Sequence, residues 1–277
     1  MYAETMSKID ERKVRASLES PLGEPPTDIR SFFGDLPIHV VSETGSTNDD
    51  LKEAARSGSG CCALLAERQT AGRGRQGRCF FSEGGLYVSA ILPPLGEAAP
   101  FLTHIAAVAV TQAIRALSGE KAEIKWVNDI FVQGKKVCGI LCESVVTERG
   151  RAFIAGIGVN TEQPEGGFPA EIANSAGAVR CDKSALAGEI LKRLFYLIER
   201  FDKETIRKKY QEFCFLTGKE VAVIRSGEEK RATVIGLAED LGLTVRYEDG
   251  LIETLRSGEV QLKLGISDRR MVMKATD

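Results

Sequence analysis

Histidine is nearly missing from this chain of 277 residues: only His39 and His104 occur. The seven cysteines, Cys61, Cys62, Cys79, Cys138, Cys142, Cys181 and Cys214, include no C-x-x-C pair. A Cys/His metal site is therefore not expected, and the thiols read as reduced, packed small hydrophobes. Neither G-x-x-x-x-G-K-[ST] nor G-x-S-x-G occurs. That excludes a Walker-type phosphate loop and the common serine-hydrolase elbow. No stretch approaches the ~18 uninterrupted apolar residues that a membrane span needs. The first residues, Met1 to Asp10, lack the apolar core of a signal peptide. A soluble protein of the cytoplasm is the expectation. Lys and Arg number 37 against 39 Asp and Glu, a formal net charge of −2. Nucleic-acid binding by bulk charge is thereby excluded, although local basic loops remain open.

What is present divides the chain. Apolar residues make up 43%, enough for one large domain or two unequal ones. Residues 1–34 are polar and carry Pro21, Pro25 and Pro26. They read as a solvated extension with a short helix over Ser7 to Leu18. Residues 35–216 alternate strand-like runs with helical ones. Strands are predicted at Pro37–Ser42, Ala63–Arg68, Gly85–Leu92, Ala122–Val127, Ile130–Val132, Val137–Val146 and Arg151–Val159. Helices are predicted from Ser46–Asn48 to about Gly58, over Phe101–Leu117, over Ser184–Phe201 and from Lys203 to about Phe215. The short links among the later strands require antiparallel pairing. From Thr217 onward, short strands separated by Gly227, Gly242 and Glu248-Asp249-Gly250 suggest a small β-barrel over 217–277. The predicted class is α+β.

One stretch stands out. Gly72-Arg73-Gly74-Arg75-Gln76-Gly77-Arg78 holds three glycines and three arginines directly after an apolar strand. Glycine lets a backbone approach a ligand, and arginine offers a rigid fork of donors to phosphate or carboxylate. The spacing satisfies G-x-G-x-x-G, but loop and strand follow it, where a dinucleotide fold needs a helix. The loop therefore reads as an arginine-bearing anion site of another kind. Ser46, Thr47 and Asn48 suit a helix N-cap or a ligand equally well. Lys125-Trp126-Val127-Asn128-Asp129 carries the one tryptophan of the chain. Lys136 follows across a hairpin from Asp129. Gly139 permits close approach in the returning strand. Gly156 and Gly158 clear space before Asn160, whose amide can bond a sugar or another amide.

In this order, these stretches resemble the biotin protein ligases. That family shows a Ser-Thr-Asn motif, a G-R-G-R-x-G-R loop, a K-W-P-N-D motif and a G-I-x-x-E strand. Here they read Ser46 to Asn48, Gly72 to Arg78, Lys125 to Asp129 and Gly139 to Glu143. The resemblance covers roughly residues 38 to 264. It implies a mixed, largely antiparallel sheet packed with helices, of the class II synthetase kind, with an SH3-like C-terminal barrel. It implies biotin activation by ATP and transfer to a lysine of a biotin carboxyl carrier protein of a biotin-dependent carboxylase, with magnesium accompanying the nucleotide. Ser46, Thr47, Asn48 and Gln69 would then hold the ureido head. Arg73, Gly74 and Arg75 would bind biotin and the adenylate phosphate, with Arg73 and Lys136 as the catalytic cations and Lys136 at the carboxylate–phosphate junction. Arg75, Arg78, Asn128, Asp129 and Asn160 would serve the nucleotide. No metal ligand of the protein itself is implied, and a homodimer is compatible with the resemblance.

Two departures stand in the motifs: Val127 replaces the usual proline, and Phe80 stands where many members have tryptophan. The regulatory members carry an N-terminal DNA-binding domain, for which residues 1–34 are too few, so DNA is not expected as a partner. A lipoate or octanoyl ligase or transferase of the same superfamily is the near rival. A nucleic-acid-binding regulator is the rival of a different class, and it lacks aromatic residues interleaved with the arginines.

Overall fold

Strand β3 (Gly85–Ile91) is buried at all seven positions, which places it inside a sheet covered on both faces. Its neighbours are β2 (Cys62–Gln69) and β7 (Gly150–Asn160), both antiparallel to it. The complete sheet has seven strands in the order β1-β2-β3-β7-β6-β5-β4, with β1 (Ile38–Thr44), β4 (Ala122–Lys125), β5 (Asp129–Val132) and β6 (Lys135–Thr147). Only β1 and β2 run parallel, and a parallel pair requires a crossover. Helix α2 (Thr47–Arg56) supplies it. This computed structural model describes residues 8–22, 35–225, 228–256 and 259–262. The remainder of the expected N-terminal extension and the tail from 263 lie outside the described residues.

Side chains alternate between faces along each strand. On one face, Leu64, Ile91, Val145 and Ile154 pack with Leu51 and Ala55 of α2. The alternate positions of β3, Leu86, Val88 and Ala90, point to the other face. There lie α3 (Leu102–Ser118) and α4 (Lys183–Glu199), which also pack on each other. Helix α3 is apolar all round and buried along most of its length, and it ends where Gly119 adopts φ 71°, open to glycine at no steric cost. His104 is packed within it, its ring 4.9 Å from that of Tyr210 on α5 (Lys203–Phe213).

The N-terminal segment departs from the solvated extension read in the sequence. Asp10 caps α1 (Glu11–Glu19), and Val14 and Leu18 are buried. They lie on one stripe of a helix that is otherwise polar, too weak a pattern to show a partner in advance. The partner is α4, and its Gly188 is the reason the two helices approach. A Cβ on Gly188 would lie 2.5 Å from the Val14 carbonyl oxygen. Ser17 Oγ donates to the Ala185 carbonyl at 2.9 Å, and Lys192 Nζ to Ser20 Oγ at 2.7 Å.

The chain divides into two units, Met1–Phe213 and Cys214–Asp277. The second is a five-stranded antiparallel sheet in the order β11-β10-β9-β8-β12. Its strands are β8 (Glu220–Arg225), β9 (Glu228–Leu237), β10 (Leu243–Tyr247), β11 (Ile252–Leu255) and β12 (Glu259–Leu262). Val221, Val223, Val234, Leu243, Val245 and Leu255 are among its buried apolar residues. The α+β class, the mixed sheet and the small all-β C-terminal unit are as the sequence indicated.

Candidate active site

The arginine loop leaves the end of β2 and folds back on itself. Arg73 pairs with Cys79 in an antiparallel bridge. The Gly74 amide donates to the Arg78 carbonyl at 2.7 Å, and the Phe80 amide to the Gly72 carbonyl at 2.9 Å. A single 3-10 turn, Arg75–Gly77, forms the tip. Gly72 has no room for a side chain, because a Cβ there would lie 2.4 Å from Ser82 Oγ. The loop is thus a small hairpin, and the next regular element is a strand, as its sequence context required.

Beside the loop a buried polar network assembles. Ser46 caps α2: its side chain accepts from the Asp49 amide at 3.4 Å. Thr47 donates through both its amide and its hydroxyl to Gln69 Oε1, at 2.9 and 3.0 Å. Asn48 Nδ2 donates to the Leu141 carbonyl at 3.0 Å and to Glu143 Oε2 at 2.8 Å. Ser89 Oγ lies 2.7 Å from both Thr47 Oγ1 and Asn48 Oδ1. Thr47, Asn48 and Ser89 are all buried, so this pairing is what makes their burial tolerable. Lys52 bridges Asp49 and Glu143, at 2.7 and 2.9 Å. Burial opposes its charge, but the two carboxylates outweigh that effect and raise its pKa.

The floor of the site is glycine. Register pairs Gly139 of β6 with Gly158 of β7, and Leu141 with Gly156. The Phe80 ring rests on the first pair: a Cβ on Gly139 or Gly158 would approach it to 2.8 or 2.7 Å. Tyr87 meets the same ring edge-on, with centroids 6.3 Å apart. Its buried hydroxyl has its pKa raised by desolvation.

The cations do not gather at one point. Arg73 Nη2 lies 2.9 Å from Asp49 Oδ2. Arg75 Nη1 donates to Asn128 Oδ1 at 3.3 Å, and Asn128 Nδ2 donates to the Ile140 carbonyl at 2.7 Å. Lys136 Nζ lies 2.7 Å from Asp129 Oδ1. The Lys136 backbone pairs with a distant segment: its amide donates to the Ser175 carbonyl at 2.7 Å, and its carbonyl accepts from the Gly177 amide at 2.8 Å. Asn160 Nδ2 donates to the Gly177 carbonyl at 3.0 Å. Its Oδ1 is buried without a hydrogen-bond partner among the described residues. Arg78 is exposed at the foot of the loop. The Trp126–Val127 bond is cis, at the position where the sequence departs from the motif's proline.

The structure thus brings Thr47, Asn48 and Gln69 into one network, and pairs Arg75 with Asn128 and Lys136 with Asp129. The Ser46 hydroxyl serves the helix end, and the Arg73 guanidinium is turned to α2. Sequence reasoning passed over Ser89, Asp49 and Lys52. Ser89 had one visible signal: it is the lone hydroxyl of an aliphatic type inside the run Leu86 to Leu92. Asp49 and Lys52 carry no signal in the sequence beyond their place at the start of a predicted helix.

A family model described as the Biotin/lipoate A/B protein ligase family matches residues 40–160. The chain is 30% identical over 241 residues to the Biotin--[acetyl-CoA-carboxylase] ligase of Mycobacterium tuberculosis, covering 78% of this chain and 87% of that one. It is 40% identical over 159 residues to the Bifunctional ligase/repressor BirA of Bacillus subtilis, covering 56% of this chain. The chain spans about half the length of its Bacillus relatives, 52% and 47%. Among solved structures, the biotin protein ligase from Aquifex aeolicus in complex with biotin and ATP superposes with a TM-score of 0.66 at 29% identity, over 83% of this chain and 99% of that one. The mixed sheet, its glycine floor and the folded arginine loop define a domain of the biotin and lipoate ligase class. Within that class, the chain belongs to the biotin protein ligase family.

Proposed function

We propose that this chain joins biotin to ATP as biotinyl-adenylate and passes the biotin to a lysine of a carrier domain of a biotin-dependent carboxylase. The observation that carries this reading is the division of the site. Thr47, Asn48, Ser89 and Gln69 form a dense set of donors and acceptors at one end. Arg75 and Lys136 stand with Asn128 and Asp129 at the other. Between them the sheet surface is glycine, with the Phe80 ring on Gly139 and Gly158 and the Asn48 amide on Gly156. A ligand with a urea-like head, a compact apolar body and a carboxylate tail matches that order.

In the first step a biotin carboxylate oxygen attacks the α-phosphorus of ATP, and the bond to the bridging oxygen of pyrophosphate breaks. Both reactants are anionic, so their encounter needs fixed positive charge. Arg75 and Lys136 supply it, and the Gly74 region of the loop covers the product. Asn160, whose Oδ1 has an unmet bonding capacity, is suited to accept a donor from the nucleotide. In the second step the neutral lysine amine attacks the acyl carbon, AMP leaves, and the amine gives up a proton. No enzyme nucleophile is needed. Magnesium would be held by nucleotide phosphates and water. Among the described residues no group of three His, Cys, Asp or Glu side chains could hold a metal ion. The seven free thiols support a reducing compartment, and a cytoplasmic setting is part of the proposal.

Biotin-dependent exchange of pyrophosphate into ATP tests the reading. Exchange with biotin and not with lipoate is the expected result. Exchange with lipoate alone would assign the chain to the other branch of the class.

A further inference from the structure

Three arginines stand on the loop, yet two of them fasten it to different elements. Arg73 reaches Asp49 in the first turn of α2. Arg75 reaches Asn128 in the turn between β4 and β5. The Asp49 carboxylate is shared: Oδ2 faces Arg73, and Oδ1 faces Lys52. Lys52 also holds Glu143 Oε1, and Glu143 Oε2 accepts from Asn48 Nδ2. Charge alternates along this series, Arg73, Asp49, Lys52, Glu143, and the series ends on the Asn48 amide. An isolated surface pair is worth little. The Arg73–Asp49 link is exposed, 58% and 34%, but it joins a series whose inner members are less so, Lys52 at 14% and Glu143 at 28%, where solvent screens charge less. The Arg73 guanidinium and the Lys136 ammonium face different carboxylates, Asp49 and Asp129.

We propose that Arg73 and Asp49 are a positioning pair that pins the arginine loop to α2, and that neither touches the substrate. The pair also ties loop position to Asn48, through Lys52 and Glu143. A loop displaced at Arg73 would therefore loosen the polar end of the site. The inference rests on the activity proposed above for its consequences in catalysis, but not for the pinning itself.

Pinning is read without ligand or turnover. Trypsin cleaves after the arginines of the loop. Asp49→Asn should speed cleavage at Arg75 and Arg78 about fivefold, the upper range for a lost exposed ion pair, while Asp49→Glu stays near the parent rate. An unchanged rate in Asp49→Asn overturns the pin, whatever reaction the chain performs. The catalytic consequence is read by a double-mutant cycle in the biotin-dependent exchange assay. Asp49→Asn, Arg73→Gln and the double variant should share one raised KM for biotin, with kcat nearly intact. Arg73→Lys should stay close to the parent, since one ionic contact needs no fork. Were Arg73 a phosphate clamp, Arg73→Gln and Arg73→Lys would lower kcat, and the effect of Asp49→Asn would add to them; that result rejects the proposal. Faster cleavage in Asp49→Asn together with no biotin-dependent exchange in the parent would retain the pin and reject the ligase reading.

Discussion

Asn48 lies directly over Gly156: a Cβ on that glycine would sit 2.1 Å from Asn48 Oδ1. The contact is too close for any side chain, so the absence of one at Gly156 is a condition for the position of Asn48. Gly156→Ala should displace the amide from Leu141, Glu143 and Ser89. Loss of one to two such bonds, roughly 1–3 kcal/mol, predicts a KM for biotin about 5- to 150-fold higher. Exchange kinetics over a biotin series would show it; an unaltered KM would remove Asn48 from recognition.

Ser89→Ala removes the hydroxyl between Thr47 and Asn48 in a fully buried place. Two polar groups are left short of a partner, at a cost of about 1–3 kcal/mol. Urea unfolding should report that loss as a lower midpoint at the same slope. An equal midpoint would mean the pair re-forms without Ser89.

Lys136→Ala should slow adenylate formation by about 10- to 150-fold, corresponding to roughly 1.5–3 kcal/mol for a charged hydrogen bond. The variant also strands Asp129, whose ammonium partner lies at 2.7 Å. Single-turnover formation of biotinyl-adenylate is the appropriate measurement. A parental rate would take Lys136 out of the reaction.

Alkaline pH should destabilise the first unit through two thiols, the buried Cys138 and the half-buried Cys142. Burial pushes the Cys142 thiol up to about 12 and raises Cys138 as well. The unfolded thiol ionises near its ordinary value of about 8.5. Below that value both states keep the proton and full stability is retained. As pH rises toward 12, only the unfolded state gives its proton up, and stability falls. Melting temperatures measured from pH 7 to 10 should decline above about pH 8.5, and Cys142→Ala should flatten the decline.

The residues legible in the sequence share a property: each belongs to a short, continuous signal. The Ser-Thr-Asn triplet, the glycine and arginine run and the hairpin between Asp129 and Lys136 are contiguous or nearly so. The missed ones depend on contacts that cross the chain. Ser89 meets Thr47 only because β3 passes under α2, 42 positions away. Lys52 gains its importance from Glu143, 91 positions away. The strand order, with β7 between β3 and β6, is likewise set by packing between segments that no local pattern encodes. The three arginines illustrate the same limit. Their shared residue type suggested a shared target, and the fold gives Arg73 and Arg75 different neighbours.

The backbone of Lys136 offers a separate use. Its amide proton is held by Ser175, some forty positions later in the chain. Its exchange with deuterium is therefore governed by how long the 175–177 segment stays docked, not by fraying of its own strand. A single labelled amide, that of Lys136, can thus time the release of the 175–177 segment.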